Sequence, residues 1–247
     1  MVNTTLNLTK DKIKSFLDGL RTRLLVKTEH ETEVNDALSK HTLFPRHQLE
    51  LAFIDQIVME CLSENVKEYR DKTQALDGKL PCDLILAESS QAKNRKLACG
   101  TPIWTHGHPF YKALVSNPSD LYKRWSGKNP KKHAVFAAVA PDIALLAPFR
   151  VVFECKYFNQ PGRQIATSEL VGGLYQTFFY RAMPAKPAGA GGLRFGWDYE
   201  YACFLAYDAT PTRRLQQAWN DLKETRERFW DDGNIYVMIL PRSNAVA

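Results

Sequence analysis

The chain has 247 residues, of which 45% are hydrophobic and 24% charged. This composition supports a folded core and excludes a disordered polyelectrolyte. The sequence has no apolar run of about 18 residues and no apolar segment behind its first basic residues, so we expect a soluble cytoplasmic protein without a membrane span or signal peptide. The formal net charge of +6 and the pI of about 9.0 favour a polyanionic partner.

Two segments of the N-terminal half carry apolar residues at helical spacing. The first covers residues 7–25, and the second begins after Pro45 and extends to about Lys67 or Tyr69. Residues 80–86 predict a short strand. Residues 99–110 are rich in Gly, Pro, His and aromatic residues, which indicates an ordered loop.

The C-terminal part of the chain predicts alternating strands and helices. The predicted order is strand, strand, helix, strand, helix, strand, at residues 135–143, 151–157, 168–180, 199–207, 212–230 and 235–240. This order predicts an α/β core with a mixed central β-sheet flanked by α-helices. We expect residues 134–247 to form that core. Residues 1–133 would add a helical region with a variable basic and aromatic segment, the whole forming one compact domain.

Charged residues with a distinctive spacing lie on the first two of these strands. Asp142 is followed, after eleven intervening residues, by Glu154, Cys155 and Lys156. Glu154 and Lys156 are two apart in a strand, so both side chains project from one face while Cys155 points into the core. A turn between the strands would bring Asp142 opposite Glu154. Two carboxylates and one ammonium group are therefore predicted to converge.

The neighbours of these residues are apolar, which predicts that the site is buried. Burying charged side chains without partners costs roughly several kcal/mol per ion, so the charges need compensation. A divalent cation held by Asp142, Glu154 and the Cys155 carbonyl would compensate the acids, and oxygen ligands favour Mg²⁺ or Mn²⁺. Lys156 would then contact an attacking water or a phosphate oxygen. The alternative is a purely structural ion pair at a sheet edge.

Residues Pro141-Asp142 and Glu154-Cys155-Lys156 resemble the PD-(D/E)xK motif of the restriction-endonuclease-like nuclease superfamily. The resemblance covers the predicted C-terminal core, and the N-terminal half matches only loosely. It implies a mixed central sheet flanked by helices. It also implies acids that bind Mg²⁺ and a lysine that assists hydrolysis of a phosphodiester.

The predicted helix after this motif contains a second match. Gln176 and Tyr180 resemble the QxxxY motif that follows the lysine in RecB-like members, which implies that both belong to the catalytic site. They share a helix face with Glu169, seven residues before Gln176. Gly172 and Gly173 lack side chains and are predicted to let the helix approach the sheet or a nucleic-acid backbone closely. The alternative is a Gln and a Tyr that simply line a helix surface.

Many members of the superfamily add an acidic residue from an N-terminal helix, and Glu50 is the candidate here. It lies on the same helical stripe as Phe53, Ile54 and Ile57, which otherwise predicts a core-facing surface. A carboxylate on such a stripe needs a partner. The alternative places Glu50 at the solvent edge of the stripe.

Two basic clusters are candidates for phosphate contacts, with an ordinary solvated surface as the alternative. They consist of Lys93, Arg95 and Lys96, and of Lys128, Lys131 and Lys132.

Together these features predict a Mg²⁺- or Mn²⁺-dependent nuclease acting on DNA, with a restriction or host-defence endonuclease as the most natural setting. The alternative is a non-catalytic nucleic-acid-binding or assembly subunit that retains the nuclease fold. RNA stays open as a substrate. A homodimer or a partner protein is also expected, because cutting both strands commonly requires two active sites. No membrane partner is expected.

Overall fold

The computed structural model describes residues 2–29, 34–35, 47–72, 85–87, 103–105, 142–145, 148–182 and 200–243. The helices in these ranges are α1 (Val2–Lys27), α2 (His47–Phe53), α3 (Met59–Lys72), α4 (Arg163–Ala182), α5 (Arg214–Asn220) and α6 (Thr225–Asp231). A π-helical turn, Ile54–Val58, joins α2 to α3. Within the described ranges, no helix has the length and hydrophobicity needed to cross a bilayer.

The described strands form one mixed sheet. They are β1 (Ile85–Ala87), β2 (Ile103–Thr105), β3 (Ile143–Leu145), β4 (Val151–Phe158), β5 (Tyr201–Asp208) and β6 (Ile235–Pro241), arranged in the order β2-β1-β3-β4-β5-β6. Strands β4, β5 and β6 are parallel to one another, β1 is parallel to β2, and β3 is antiparallel to both β1 and β4. The prediction of a mixed α/β fold is confirmed.

Helices cover both faces of this sheet. Phe153 and Cys155 of β4 point into a core shared with α1, the π-helical turn and α3. Phe158 of β4 and Phe204 of β5 point to the opposite face, where α4 and α5 pack. All eight residues of β5 are buried, as expected for a strand covered on both sides. Because side chains alternate along a strand, Glu154 and Lys156 lie on the same face as Phe158.

Gly173 allows α4 to lie close to the sheet. A Cβ atom at this position would collide with the ring of Phe204, whereas a Cβ atom at Gly172 would meet nothing within 4 Å. The prediction that glycine brings this helix near the sheet is confirmed for Gly173. At Gly172 the helix does not touch the sheet, and the predicted approach to a nucleic-acid backbone stays a prediction.

The predicted single helix over residues 212–230 is wrong, because two short helices occupy this segment. Lys223, between α5 and α6, has a φ of 47°, a left-handed conformation that an α-helix does not tolerate. The start of α5 is fixed by Asp208, whose Oδ2 accepts hydrogen bonds from the N–H groups of Leu215 and Gln216 at 2.7 and 3.0 Å. This buried carboxylate therefore caps a helix.

Other element boundaries shift by amounts that local sequence does not determine. Helix α1 begins at Val2, well before residue 7, and α3 ends at Lys72, beyond Tyr69. The predicted loop at residues 99–110 contains the short strand β2, which forms through parallel pairing with β1. The predicted strand at residues 135–143 falls mostly outside the described residues. In the described part, β3 starts only at Ile143.

Candidate active site

The pairing of β3 with β4 brings Asp142 to Glu154. Ile143 lies opposite Phe153, so the preceding residue, Asp142, lies opposite Glu154. The Asp142 N–H donates to the Phe153 carbonyl at 3.1 Å, which holds Asp142 against β4 just before the regular strand pairing begins. The predicted position of Asp142 is confirmed.

Strand β4 extends past the start of β3, and carboxylates accept hydrogen bonds from its backbone there. The Cys155 N–H donates to Asp142 Oδ2 at 2.7 Å, and the Tyr157 N–H donates to Glu50 Oε2 at 3.4 Å. Alternate residues of a strand direct their N–H and C=O groups to the same side. The Cys155 carbonyl therefore also points to the edge where Asp142 lies.

Lys156 joins two of the carboxylates. Its Nζ lies 2.7 Å from Glu154 Oε1 and 3.5 Å from Glu50 Oε1. The side chain of Glu154 is 3% exposed and that of Lys156 is 20% exposed, so this pair is shielded from water. Glu50 reaches it from α2, on the other face of the sheet, at the part of β4 that lies beyond the start of β3. Glu50 therefore has the partner that its place on the apolar stripe predicts, although its side chain is still 30% exposed.

Helix α4 supplies a hydroxyl group to the same cluster. The buried Tyr180 donates from its OH to Glu154 Oε2 at 2.9 Å. Gln176, one turn earlier, is half-buried. Within the residues that the structure describes, no hydrogen bond joins Gln176 to Asp142, Glu154 or Lys156. The structure thus brings Tyr180 into the cluster and leaves Gln176 beside it.

The pKa values of the two deepest carboxyl groups are raised. For Asp142 the causes are burial first and then the negative charge of Glu154, while Lys156 and the Cys155 N–H oppose the shift. For Glu154 burial raises the pKa, and Lys156 and Tyr180 oppose it. Burial lowers the pKa of Lys156, but the charges of Glu154, Glu50 and Asp142 outweigh it, so the net pKa is raised. Two carboxylates thus contact the one ammonium group, and the charge of a third, Asp142, also acts on it.

The residues of this cluster provide the donors that a hard cation prefers, although they do not form a complete ligand cage. Asp142 and Glu154 supply carboxylate oxygens, and the Cys155 carbonyl lies at the same strand edge. If all are ionised, the three acids and Lys156 carry a formal charge of −2, which a divalent cation would neutralise. Nevertheless, in the described ranges no three His, Cys, Asp or Glu side chains are grouped to hold a metal ion.

A cleft with a volume of about 320 Å³ opens beside Lys156 and Glu50. Its lining includes Asn159, Gln160 and Glu169. Sequence reasoning noted Glu169 but missed the two amides. Asn159 and Gln160 directly follow β4, which is parallel to β5, and ligands commonly bind at the carboxyl ends of parallel strands. This position in the sequence could have identified them.

No family model, curated protein or solved structure matches the chain. The interpretation of the site therefore depends on its own chemistry. The predicted phosphate-binding residues lie outside the described residues; these are Lys93, Arg95, Lys96, Lys128, Lys131 and Lys132.

Proposed function

We propose that the chain is a Mg²⁺-dependent nuclease that hydrolyses phosphodiester bonds of DNA, with a restriction or host-defence endonuclease as its setting. The observation that carries the proposal is that Glu154 and Glu50 contact Lys156 while Asp142 lies at the same part of β4, close enough for its charge to act on both Glu154 and Lys156. A purely structural ion pair would need one carboxylate. The excess of acids is what a cation-dependent site requires.

The mixed sheet with helices on both faces supports a restriction-endonuclease-like core in this proposal. Strand β4 carries Glu154 and Lys156 on one face, and antiparallel β3 presents Asp142 at its start. This is the arrangement that the PD-(D/E)xK resemblance implies.

Each residue of the cluster then has a distinct role. Asp142, Glu154 and the Cys155 carbonyl would hold Mg²⁺ or Mn²⁺, which when bound polarises the phosphate and lowers the pKa of a bound water. Lys156 holds its proton because its pKa is raised, so it acts as a cation toward the water or a phosphate oxygen. Glu50 positions the Lys156 ammonium group through their 3.5 Å contact.

Tyr180 and the backbone of β4 hold the two buried acids in place. The Tyr180 hydroxyl orients one oxygen of Glu154, and the Cys155 N–H orients one oxygen of Asp142. Such preorganised contacts reduce the reorganisation needed when charge develops in the transition state.

The test is cleavage of supercoiled plasmid, linear DNA and RNA by the purified chain with Mg²⁺, Mn²⁺ or EDTA. We expect DNA to be cut with Mg²⁺ and not with EDTA. Asp142→Asn and Lys156→Ala should each lower the rate by about 100-fold or more. Lys14→Ala, at an exposed position of α1, is the matched control and should cut normally.

Asp142→Asn keeps an oxygen that can accept from the Cys155 N–H, so lost cleavage would not reflect a lost backbone contact. Full cutting by this variant would contradict the assignment of the site. Tight, salt-sensitive DNA binding without cleavage under any metal would instead favour a non-catalytic subunit.

A further inference from the structure

The cleft beside Lys156 is lined by both apolar and polar side chains. The partly buried Leu49 lines it above the buried side chains of Phe204 and Leu215, and its rim carries Gln160 and Glu169 together with Asn159. It follows the carboxyl end of β4 between α2 and α4. Apolar walls with a few polar groups at the rim are typical of small-molecule sites.

The charged side chains that line the cleft disfavour binding of a phosphate group in the part of the cleft away from Lys156. Its described lining contains two carboxylates, Glu50 and Glu169, against the single ammonium of Lys156, which already pairs with Glu154 at 2.7 Å. A phosphate pushed toward Glu169 would be repelled. A neutral group with hydrogen-bond donors and an apolar face is better matched.

A nucleobase has these properties. The amide of Gln160 both donates and accepts hydrogen bonds, as base edges do. A carboxylate such as Glu169 accepts from an exocyclic amino group, the pairing used to recognise cytosine. The flat face of the base would lie against the apolar side chain of Leu49, which lines the cleft and is only partly buried.

The size of the cleft restricts the form of the nucleic acid. Its volume of about 320 Å³ lies at the lower end of the range for small-molecule sites, about 300–1,000 Å³, which admits roughly one nucleoside. A base inside a duplex is stacked and paired, so it must leave the helix before it can enter a pocket.

We propose that this cleft is a nucleoside subsite that holds one unpaired base next to the cleaved phosphate, and that Gln160 and Glu169 select bases with an exocyclic amino group. The inference rests on the proposed function for the position of the phosphate beside Lys156. Its substrate class is DNA in which the base beside the cleaved phosphate is unpaired: a single strand, a frayed duplex end or a base flipped out of a duplex.

The experiment measures both cleavage and binding. Cleavage with Mg²⁺ is compared for single-stranded oligonucleotides of deoxycytidine and of thymidine and for a blunt duplex of equal length. Binding is measured on the same labelled probes by fluorescence anisotropy with Ca²⁺ in place of Mg²⁺. We expect the cytidine strand to exceed the thymidine strand by about tenfold in both assays, with the duplex weakest.

Glu169→Gln and Gln160→Ala should each move the cytidine-to-thymidine ratio toward one. Ser168→Ala, at the adjacent exposed position of α4, is the matched control and should keep the ratio. Equal use of the two strands, preference for the duplex, or an unchanged ratio in Glu169→Gln would overturn the subsite.

Failure of the subsite and failure of the nuclease give different results. If DNA is cut and Asp142→Asn abolishes cutting while Glu169→Gln leaves the base ratio unchanged, the nuclease proposal stands and the subsite is wrong. If nothing is cut but anisotropy shows the cytidine preference and its loss in Glu169→Gln, the subsite stands and hydrolysis is wrong. Absence of both cutting and binding overturns both.

Discussion

Replacing Lys156 by methionine should destabilise the folded chain, even without metal or nucleic acid. The methionine keeps much of the apolar length but removes the charge that lies 2.7 Å from the buried Glu154. Removing one partner of a buried ion pair typically costs about 3–5 kcal/mol. Each kcal/mol lowers Tm by roughly 2–4 °C in a domain of this size, so Tm should fall by about 6–20 °C.

The destabilisation should diminish in acid. Lys156 lowers the pKa values of Glu154 and Asp142, which burial raises, so both values rise further in the variant. When the pKa of a carboxyl group is higher in the folded than in the unfolded chain, the free energy of unfolding falls as pH rises. The fall takes place between the unfolded pKa of about 4 and the raised folded pKa. The difference in free energy of unfolding between the variant and the wild type therefore grows as pH rises through this range, and it shrinks in acid.

Urea unfolding followed by circular dichroism in EDTA, at about pH 8 and about pH 5, measures this difference. Lys14→Met, at an exposed position of α1, controls for the general effect of replacing a lysine. A loss below about 1 kcal/mol at the higher pH would refute the argument, because such a small value is typical of an exposed ion pair. An equal loss at both pH values would show that the carboxylates do not depend on this cation.

Three further substitutions test the packing and the hydrogen bonds around the cluster. Gly173→Ala should cost about 1–3 kcal/mol in urea unfolding because its methyl group collides with Phe204. The neighbouring Gly172→Ala should be neutral or stabilise by up to about 1 kcal/mol, since its methyl group meets open space. Tyr180→Phe should cost about 1–3 kcal/mol and slow DNA cleavage, because it removes a donor from the buried Glu154. Stability and cleavage equal to the wild type in Tyr180→Phe would contradict that role.

The strands around the site could be predicted because they are short, apolar and bounded by turns. Strands β4, β5 and β6 lie within one residue or two of their predicted bounds. The break between α5 and α6 could not be predicted, since the left-handed conformation of Lys223 has no signal in a charged, helix-prone segment. Strand β2 was missed because its three residues depend on pairing with a distant segment.

The site could be predicted where it depends on local geometry. The spacing of Asp142 and Glu154 on adjacent strands was sufficient to place them opposite each other. The stripe containing Glu50 indicated that its carboxylate faces inward, but not that it meets a lysine 106 residues away. The backbone contacts of Cys155 and Tyr157 could not be foreseen, because they join β4 to side chains that lie 13 and 107 residues away in the sequence.

The two helices that complete the cluster approach it from opposite faces of the sheet, and this has a mechanical consequence. Glu50 arrives on α2 from one face, while Tyr180 arrives on α4 from the other, and both meet side chains of β4. The distance between Tyr180 and Glu154 is set by how closely α4 packs, which Gly173 permits. Packing on one face therefore affects the contacts of Glu154 directly, and it affects Glu50 through the Lys156 ammonium group and the Tyr157 N–H of β4.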